Sequence, residues 1–220
     1  LTISNPAQLG FFGQRNHFAA SSYISKTDWL PTFGVGDLTY NVWALSGGYN
    51  LTDDLPLQIP LSVGVGYSKI DLNLGQFIRT NSNGQETGRF RAFEKSEQFS
   101  VGLGIDYFVE LGVGWNFKKI VSSLSPIGTE MESGSGRAEP SATDFGIIVQ
   151  APLFDILKKA GTENVSILPN IEPLFNLTFG YARSNMSDKL VTYIDPAQGD
   201  PMPRNATIGL SAEFGIGAKV

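Results

Sequence analysis

The 220-residue sequence contains no cysteine and only one histidine. Without thiols the chain can form neither a disulfide scaffold nor a thiolate metal site. The single histidine, His17, has no second histidine or cysteine with which to build a metal or catalytic centre. A Ser-His-Asp site needs a positioned constellation, and no Gly-x-Ser-x-Gly motif marks a nucleophilic serine. We therefore predict that the chain is not an enzyme and holds no cofactor or metal.

Charged residues are also scarce, at 17% of the sequence, where about a quarter is usual in soluble domains. The net charge is -5 and the basic residues are scattered, so the electrostatic footprint of a nucleic-acid-binding protein is missing. No stretch approaches the roughly 18–20 apolar residues of a membrane-spanning helix. No signal peptide is visible, and the sequence begins at Leu1 rather than at Met. We expect that any export signal lay in a trimmed end.

The sequence does contain repeated alternation with a period of two. Apolar residues alternate with small or polar ones at 57–68, and the pattern returns at 99–107, 111–118 and 208–217. Successive side chains of a strand point to opposite faces, so each segment has one apolar face and one face rich in Gly and Ser. Glycine is normally depleted in strands. Repeated glycine suits strands that curve around a crowded interior, with the apolar faces turned outward to lipid.

This pattern predicts an all-β fold, an antiparallel transmembrane β-barrel formed as a single domain. About eight strands are expected, at roughly 16–25, 37–50, 57–73, 90–107, 109–122, 142–151, 172–186 and 205–219. Short turns alternate with long polar connections such as 76–89, as in outer-membrane barrels. A short helix is predicted over 152–161, ending at Gly161. Residues 1–14 do not alternate and are expected to lie inside the barrel or at its mouth, while 15–220 form the barrel strands.

Four charged residues on the polar faces of these strands are candidates for lining the interior: Asp106, Glu110, Lys118 and Glu213. They either line a polar lumen or pair with one another inside a plugged barrel, and we favour pairing. Aromatic residues fall near the predicted strand ends or on the apolar faces. Aromatic girdles at the two membrane interfaces would place them so, although the core of a soluble β-protein also uses aromatic residues.

Several short motifs resemble a known family of barrels. Asn5-Pro6-Ala7 resembles an element near the start of FadL-like outer-membrane barrels. The segment 118–124 is similar to a strand end of the PorV/PorQ branch of that family, 143–148 resembles the strand that follows, and 205–210 resembles the entry to a later strand. The motifs occur in the family's order and cover most of the chain. Gln8 departs from the family, which usually has Gly there, and residues 217–220 lack the terminal aromatic residue of outer-membrane barrels.

The resemblance implies a bacterial outer-membrane location and a FadL-like barrel of about fourteen strands, within the range of such barrels. Because about eight strands are predicted here, we expect the sequence to be incomplete at both termini. PorV-like barrels are accessory components of type IX protein secretion, so the implied partners are membrane lipid, lipopolysaccharide, other outer-membrane secretion proteins and secreted cargo. One alternative is a FadL-like transporter of hydrophobic small molecules. A second is a soluble β-sandwich binding module that buries the apolar faces between two sheets.

Overall fold

A computed structural model describes residues 4–27, 38–55, 59–125, 135–161, 171–194, 197 and 199–218. Of these residues, 71% lie in strands. Two α-helices, α1 (Gln8–Gln14) and α2 (Leu153–Lys159), and a short 3-10 helix (Leu51–Asp53) lie before or between the strands. The strands are β1 (Phe18–Thr27), β2 (Leu38–Asn50), β3 (Leu61–Thr80), β4 (Glu86–Asp106), β5 (Glu110–Ser125), β6 (Gly136–Ala138), β7 (Ser141–Pro152), β8 (Ile171–Met186), β9 (Leu190–Val191), β10 (Asp200–Pro201) and β11 (Asn205–Ala218).

The eight long strands form one curled, antiparallel sheet in the order β1-β2-β3-β4-β5-β7-β8-β11. The short strand β6 pairs with β5 off this path, and β9 pairs with β10 in a separate two-stranded ribbon. The sheet has the shape of a half-barrel. Each of the eight predicted strands overlaps one of the long strands, so the prediction of a mostly antiparallel β-fold is confirmed.

The hairpin between β3 and β4 is longer than predicted. Most of the segment 76–89, expected as a polar loop, continues the two strands, and only 81–85 forms the turn. The Asn81 side chain accepts hydrogen bonds from the backbone N–H groups of Asn83 and Gln85, at 3.0 and 2.9 Å. An asparagine that imitates a backbone turn in this way allows a tight reversal. The loop prediction was wrong because paired strands that project from a core need no apolar alternation.

The predicted short helix near residue 155 is present as α2. It begins after Pro152 and ends before Gly161, whose φ is +89°. A glycine in the left-handed region is a common helix end because it has no Cβ to clash with the preceding turn. The predicted position and C-terminal end of this helix are therefore confirmed.

The two faces of the sheet differ sharply in burial. The inner face, which carries α1, contains glycines and buried polar residues such as Ser62 and Ser100, each 1% exposed. The outer face carries large apolar side chains that remain exposed, among them Leu103 at 46% and Leu210 at 84%. Among the described residues, the buried apolar ones are mostly small: Ala7, Leu9, Ala92, Ala138, Ala142, Ala182 and Met202. Part of the buried layer therefore lies between α1 and a polar face of the sheet.

Candidate functional site

Helix α1 approaches the inner face so closely that its backbone touches strand glycines. A Cβ added at Gly64 would lie 2.2 Å from the carbonyl oxygen of Leu9, and one at Gly102 would lie 2.6 Å from the Leu9 Cβ. The approach is mutual, because a Cβ at Gly10 of the helix would lie 2.4 Å from the carbonyl oxygen of Leu103. Five more strand glycines face α1 or the residues before it at similar distances: Gly48, Gly104, Gly112, Gly114 and Gly146. The repeated glycines therefore form a groove for the helix.

The Asn5-Pro6-Ala7 segment holds the start of this helix. The Asn5 Oδ1 accepts a hydrogen bond from the Ala7 N–H at 3.0 Å, and the Asn5 Nδ2 donates to the carbonyl oxygen of Tyr181 on β8 at 3.3 Å. Pro6 and Ala7 are fully buried. A Cβ at Gly114 would lie 2.4 Å from the Pro6 carbonyl carbon. The motif thus joins the N-terminal segment to two distant strands of the sheet.

Lys118 forms a largely shielded ion pair with a residue that was not among the four charged candidates. Its Nζ lies 2.7 Å from the Oδ1 of Asp144 on β7, and the two side chains are 13% and 4% exposed. The Asp144 carboxylate also accepts from the Asn116 Nδ2 at 2.9 Å and from the Asn185 backbone N–H at 2.8 Å. Lys118 donates to the Asn185 Oδ1 at 2.5 Å. A buried pair needs such additional hydrogen bonds to offset its desolvation.

The other three candidate residues lie elsewhere. Asp106 and Glu110 are opposite each other across the β4–β5 turn, at the end of the sheet away from the hairpin of β3 and β4. Glu110 lines a cleft beside α1 with Arg15, whereas Asp106 is exposed. Glu213, on β11, accepts a hydrogen bond from the Nδ2 of Asn176 at 3.0 Å. The four residues therefore do not form one cluster.

The hairpin end of the inner face is crossed by the connection that follows β8. The Tyr193 hydroxyl lies 2.9 Å from the Ser122 Oγ, which donates to the Glu94 Oε1 at 3.2 Å. The Asn185 Nδ2 donates to the carbonyl oxygen of Pro203 at 2.7 Å. Met202, beside this proline, is only 5% exposed. Polar contacts thus continue from the Lys118–Asp144 pair toward this end of the sheet.

Within the described ranges, no group of three or more His, Asp or Glu side chains could hold a metal ion. None of the helices in these ranges is long and apolar enough to cross a membrane. Comparisons with protein-family models, curated proteins and solved structures found no match for this chain. A functional proposal therefore depends on the geometry of the two faces of the sheet.

Proposed function

We propose that the chain forms part of the wall of a bacterial outer-membrane β-barrel and acts there as a docking component of the PorV type that its motifs resemble. One observation carries this proposal, namely that the outer face of the sheet is apolar and exposed while the inner face is polar and buried. In a soluble protein so large an apolar surface would need a cover. In a bilayer it meets hydrocarbon, and a closed barrel satisfies every backbone polar group.

The presence of α1 supports a barrel wider than eight strands. The interior of an eight-stranded barrel is just wide enough for side chains, whereas a helix with its side chains is about 10 Å across. The two edge strands, β1 and β11, run antiparallel because they are the first and last of eight long strands that alternate in direction. An even number of further strands would therefore close the wall with antiparallel pairs alone, as in bacterial outer-membrane barrels.

The polarity of the inner face supports docking over the transport of hydrophobic molecules. Asn116, Lys118 and Asp144 are bonded to one another there, and α1 covers the glycines. An apolar solute passing this face would separate polar groups from their hydrogen-bond partners, which is costly. By contrast, the β3–β4 hairpin exposes Phe77 at 40% and Ile78 at 57%. Aromatic residues and arginines, such as Phe77 and Arg79, are enriched at protein interfaces.

The membrane part of the proposal can be tested with a natural reporter on the outer face. In a Trp29→Phe/Trp43→Phe variant, only Trp115, 37% exposed on β5, remains to fluoresce. We expect brominated phosphatidylcholine to quench this fluorescence strongly in reconstituted vesicles. A protein that stays soluble without detergent and whose Trp115 emission is unaffected by brominated lipid would contradict the proposal.

The docking part needs a separate measurement. We expect Phe77→Ser/Ile78→Ser to insert into membranes normally but to lose co-purification with outer-membrane secretion proteins in detergent. Thr80→Ser, at the end of β3, is the matched control and should leave co-purification unchanged. A wild-type protein that is recovered as a clean monomer, and whose deletion leaves secretion intact, would contradict a docking role without affecting the membrane assignment.

A further inference from the structure

The apolar residues of the outer face form a band that runs obliquely to the rows of cross-strand pairs. Toward the β3–β4 hairpin, the band ends on each strand at the last apolar outer-face residue before a charged one, and these residues mark its limit. They are Ile24 on β1, Tyr67 on β3, Phe117 on β5 and Tyr181 on β8. Tyr67 and Phe117 share one row of cross-strand pairs through Phe99. The rows of the other two residues lie on opposite sides of this one.

The register gives the slope of this limit. Ile24 pairs with Asn41, and Asn41 pairs with Asp71, four residues beyond Tyr67 along β3. Tyr181 pairs with Ile147, whose row crosses β5 four residues before Phe117. On β11, Ile208 lies in the same row as Tyr181. From Ile24 on β1 to Tyr181 on β8 the limit therefore moves by about eight residues over six strand steps, a slope of about 40° at about 3.3 Å per residue and about 4.8 Å between strands.

A basic residue lies two positions beyond the limit on each of these four strands. The pairs are Ile24 and Lys26, Tyr67 and Lys69, Phe117 and Lys119, and Tyr181 and Arg183. A spacing of two keeps each basic side chain on the outer face. The four strands are alternate members of the sheet and run in the same direction, toward the hairpin end. The basic residues thus follow the oblique limit.

We infer that this band is the lipid-contacting surface, and that Lys26, Lys69, Lys119 and Arg183 contact phosphate groups of anionic lipids along its limit. The inference rests on the proposed membrane location. It is supported by the slope, since strands of outer-membrane barrels tilt by about 35–45°. Along β11 the apolar residues run from Ile208 to Ile216, about 26 Å of strand or about 20 Å along a bilayer normal at that tilt, near the apolar band of about 25 Å in known barrels.

Carboxylates beside the lysines leave them able to contact phosphate. Lys69 lies 3.7 Å from Glu97 and 4.0 Å from Asp71, and Lys119 lies 3.9 Å from Glu139. Partly or fully exposed ion pairs of this length contribute little, because water screens them and both side chains must be ordered. A multiply charged phosphate surface can therefore compete with these carboxylates.

The slope can be tested with nitroxide spin labels, because the chain has no native cysteine to remove. Phe18, Val65 and Arg183 occupy one row of cross-strand pairs. Phe18 lies six residues inside the limit on β1 and Val65 two residues inside it on β3, about 15 Å and about 5 Å along the bilayer normal. An oblique band therefore places labels 18 and 65 in the hydrocarbon at different depths, where oxygen collides with them more often than a water-soluble nickel complex does. Label 183, two residues outside the limit, should lie near the headgroups. Each cysteine is introduced singly into the protein in phosphatidylcholine vesicles.

A label at Ser211, on the inner face, is the control for one at its neighbour Leu210 on the outer face. Equal depths at 18, 65 and 183, with Leu210 still in hydrocarbon, would overturn the oblique band but not the membrane location. Exposure of both 65 and 210 to the nickel complex alone would overturn the proposed membrane location itself.

The phosphate contact is tested by the heat resistance of the protein in two kinds of vesicle. We expect a higher unfolding temperature in phosphatidylcholine vesicles that contain phosphatidylglycerol than in phosphatidylcholine alone. Lys69→Gln/Lys119→Gln should lose most of this increase, while Lys189→Gln, in the connection after β8, should keep it. Inorganic phosphate added to phosphatidylcholine vesicles should not reproduce the increase. An equal increase in the double variant, or one reproduced by free phosphate, would overturn the contact with lipid phosphate.

Discussion

Replacement of Gly64 by alanine tests whether the glycines exist to admit helix α1. The new Cβ would lie 2.2 Å from the Leu9 carbonyl oxygen, whereas ordinary contacts begin at 3.4 Å. Because the opposing atoms are backbone atoms, a side-chain rotation cannot relieve the overlap, and the helix must move. Overpacking of this kind costs about 1–3 kcal/mol. We therefore expect Gly64→Ala to lower the free energy of unfolding by that amount.

Gly209 provides the matched control, since it occupies the same face on β11 and a Cβ there meets nothing within 4 Å. Removing a flexible glycine from a strand should stabilise this position by about 0.5–1 kcal/mol. Unfolding is followed by circular dichroism in detergent, and the position of α1 by trypsin cleavage at the exposed Arg15 that follows it. Faster cleavage is expected in Gly64→Ala alone. Equal unfolding midpoints and equal cleavage rates in the two variants would refute the reasoning.

Three further substitutions probe other parts of the structure. Asp144→Ala leaves the partly buried Lys118 without its carboxylate and should lower the free energy of unfolding by about 1–3 kcal/mol. Asp188→Ala, in an exposed pair, should cost less than about 1 kcal/mol. Equal shifts of the denaturant midpoint would contradict this difference. Asn5→Ala removes two hydrogen bonds of the N-terminal segment and should lower the free energy of unfolding by about 1–3 kcal/mol. Trypsin should then cleave after α1 faster, and an unchanged cleavage rate would argue against an anchoring role. Gly75→Ala places a side chain on a residue whose φ is +96°, at a cost of about 1–3 kcal/mol. Amide hydrogen exchange should therefore become faster in the β3–β4 hairpin but not in β5. Unchanged exchange in the hairpin would count against this account.

Strand positions could be predicted well from local pattern alone. Alternation of apolar residues with Gly and Ser identifies a strand and the residues that share a face, because the two-residue period is a property of the backbone itself. The helix before Gly161 follows from an equally local signal, the glycine that ends it. The β3–β4 hairpin was not predicted because apolar and polar residues alternate only weakly along it. Its pairing depends instead on the Asn81 turn and on the bulge at Gly75.

Local sequence pattern could not identify Asp144 as the partner of Lys118. Asp144 follows it by 26 residues, and the two side chains meet because β5 and β7 pair with Asn116 opposite Asp144. The register between two strands depends on pairing across the whole sheet, so it cannot be predicted from the residues of one strand alone. The candidates Asp106, Glu110 and Glu213 were placed on a polar face by parity, but parity could not tell how far apart they would lie.

Residue order alone locates the strands and gives each of them an apolar side and a glycine-rich side, and the glycines predict which side faces inward. The tertiary structure adds what covers that side, because the contact between α1 and the sheet joins residues far apart in the chain. The backbone of α1 can approach the sheet this closely only where side chains are absent, as at Gly64 and Gly102. The large apolar residues therefore lie on the opposite face of the sheet, where they are exposed.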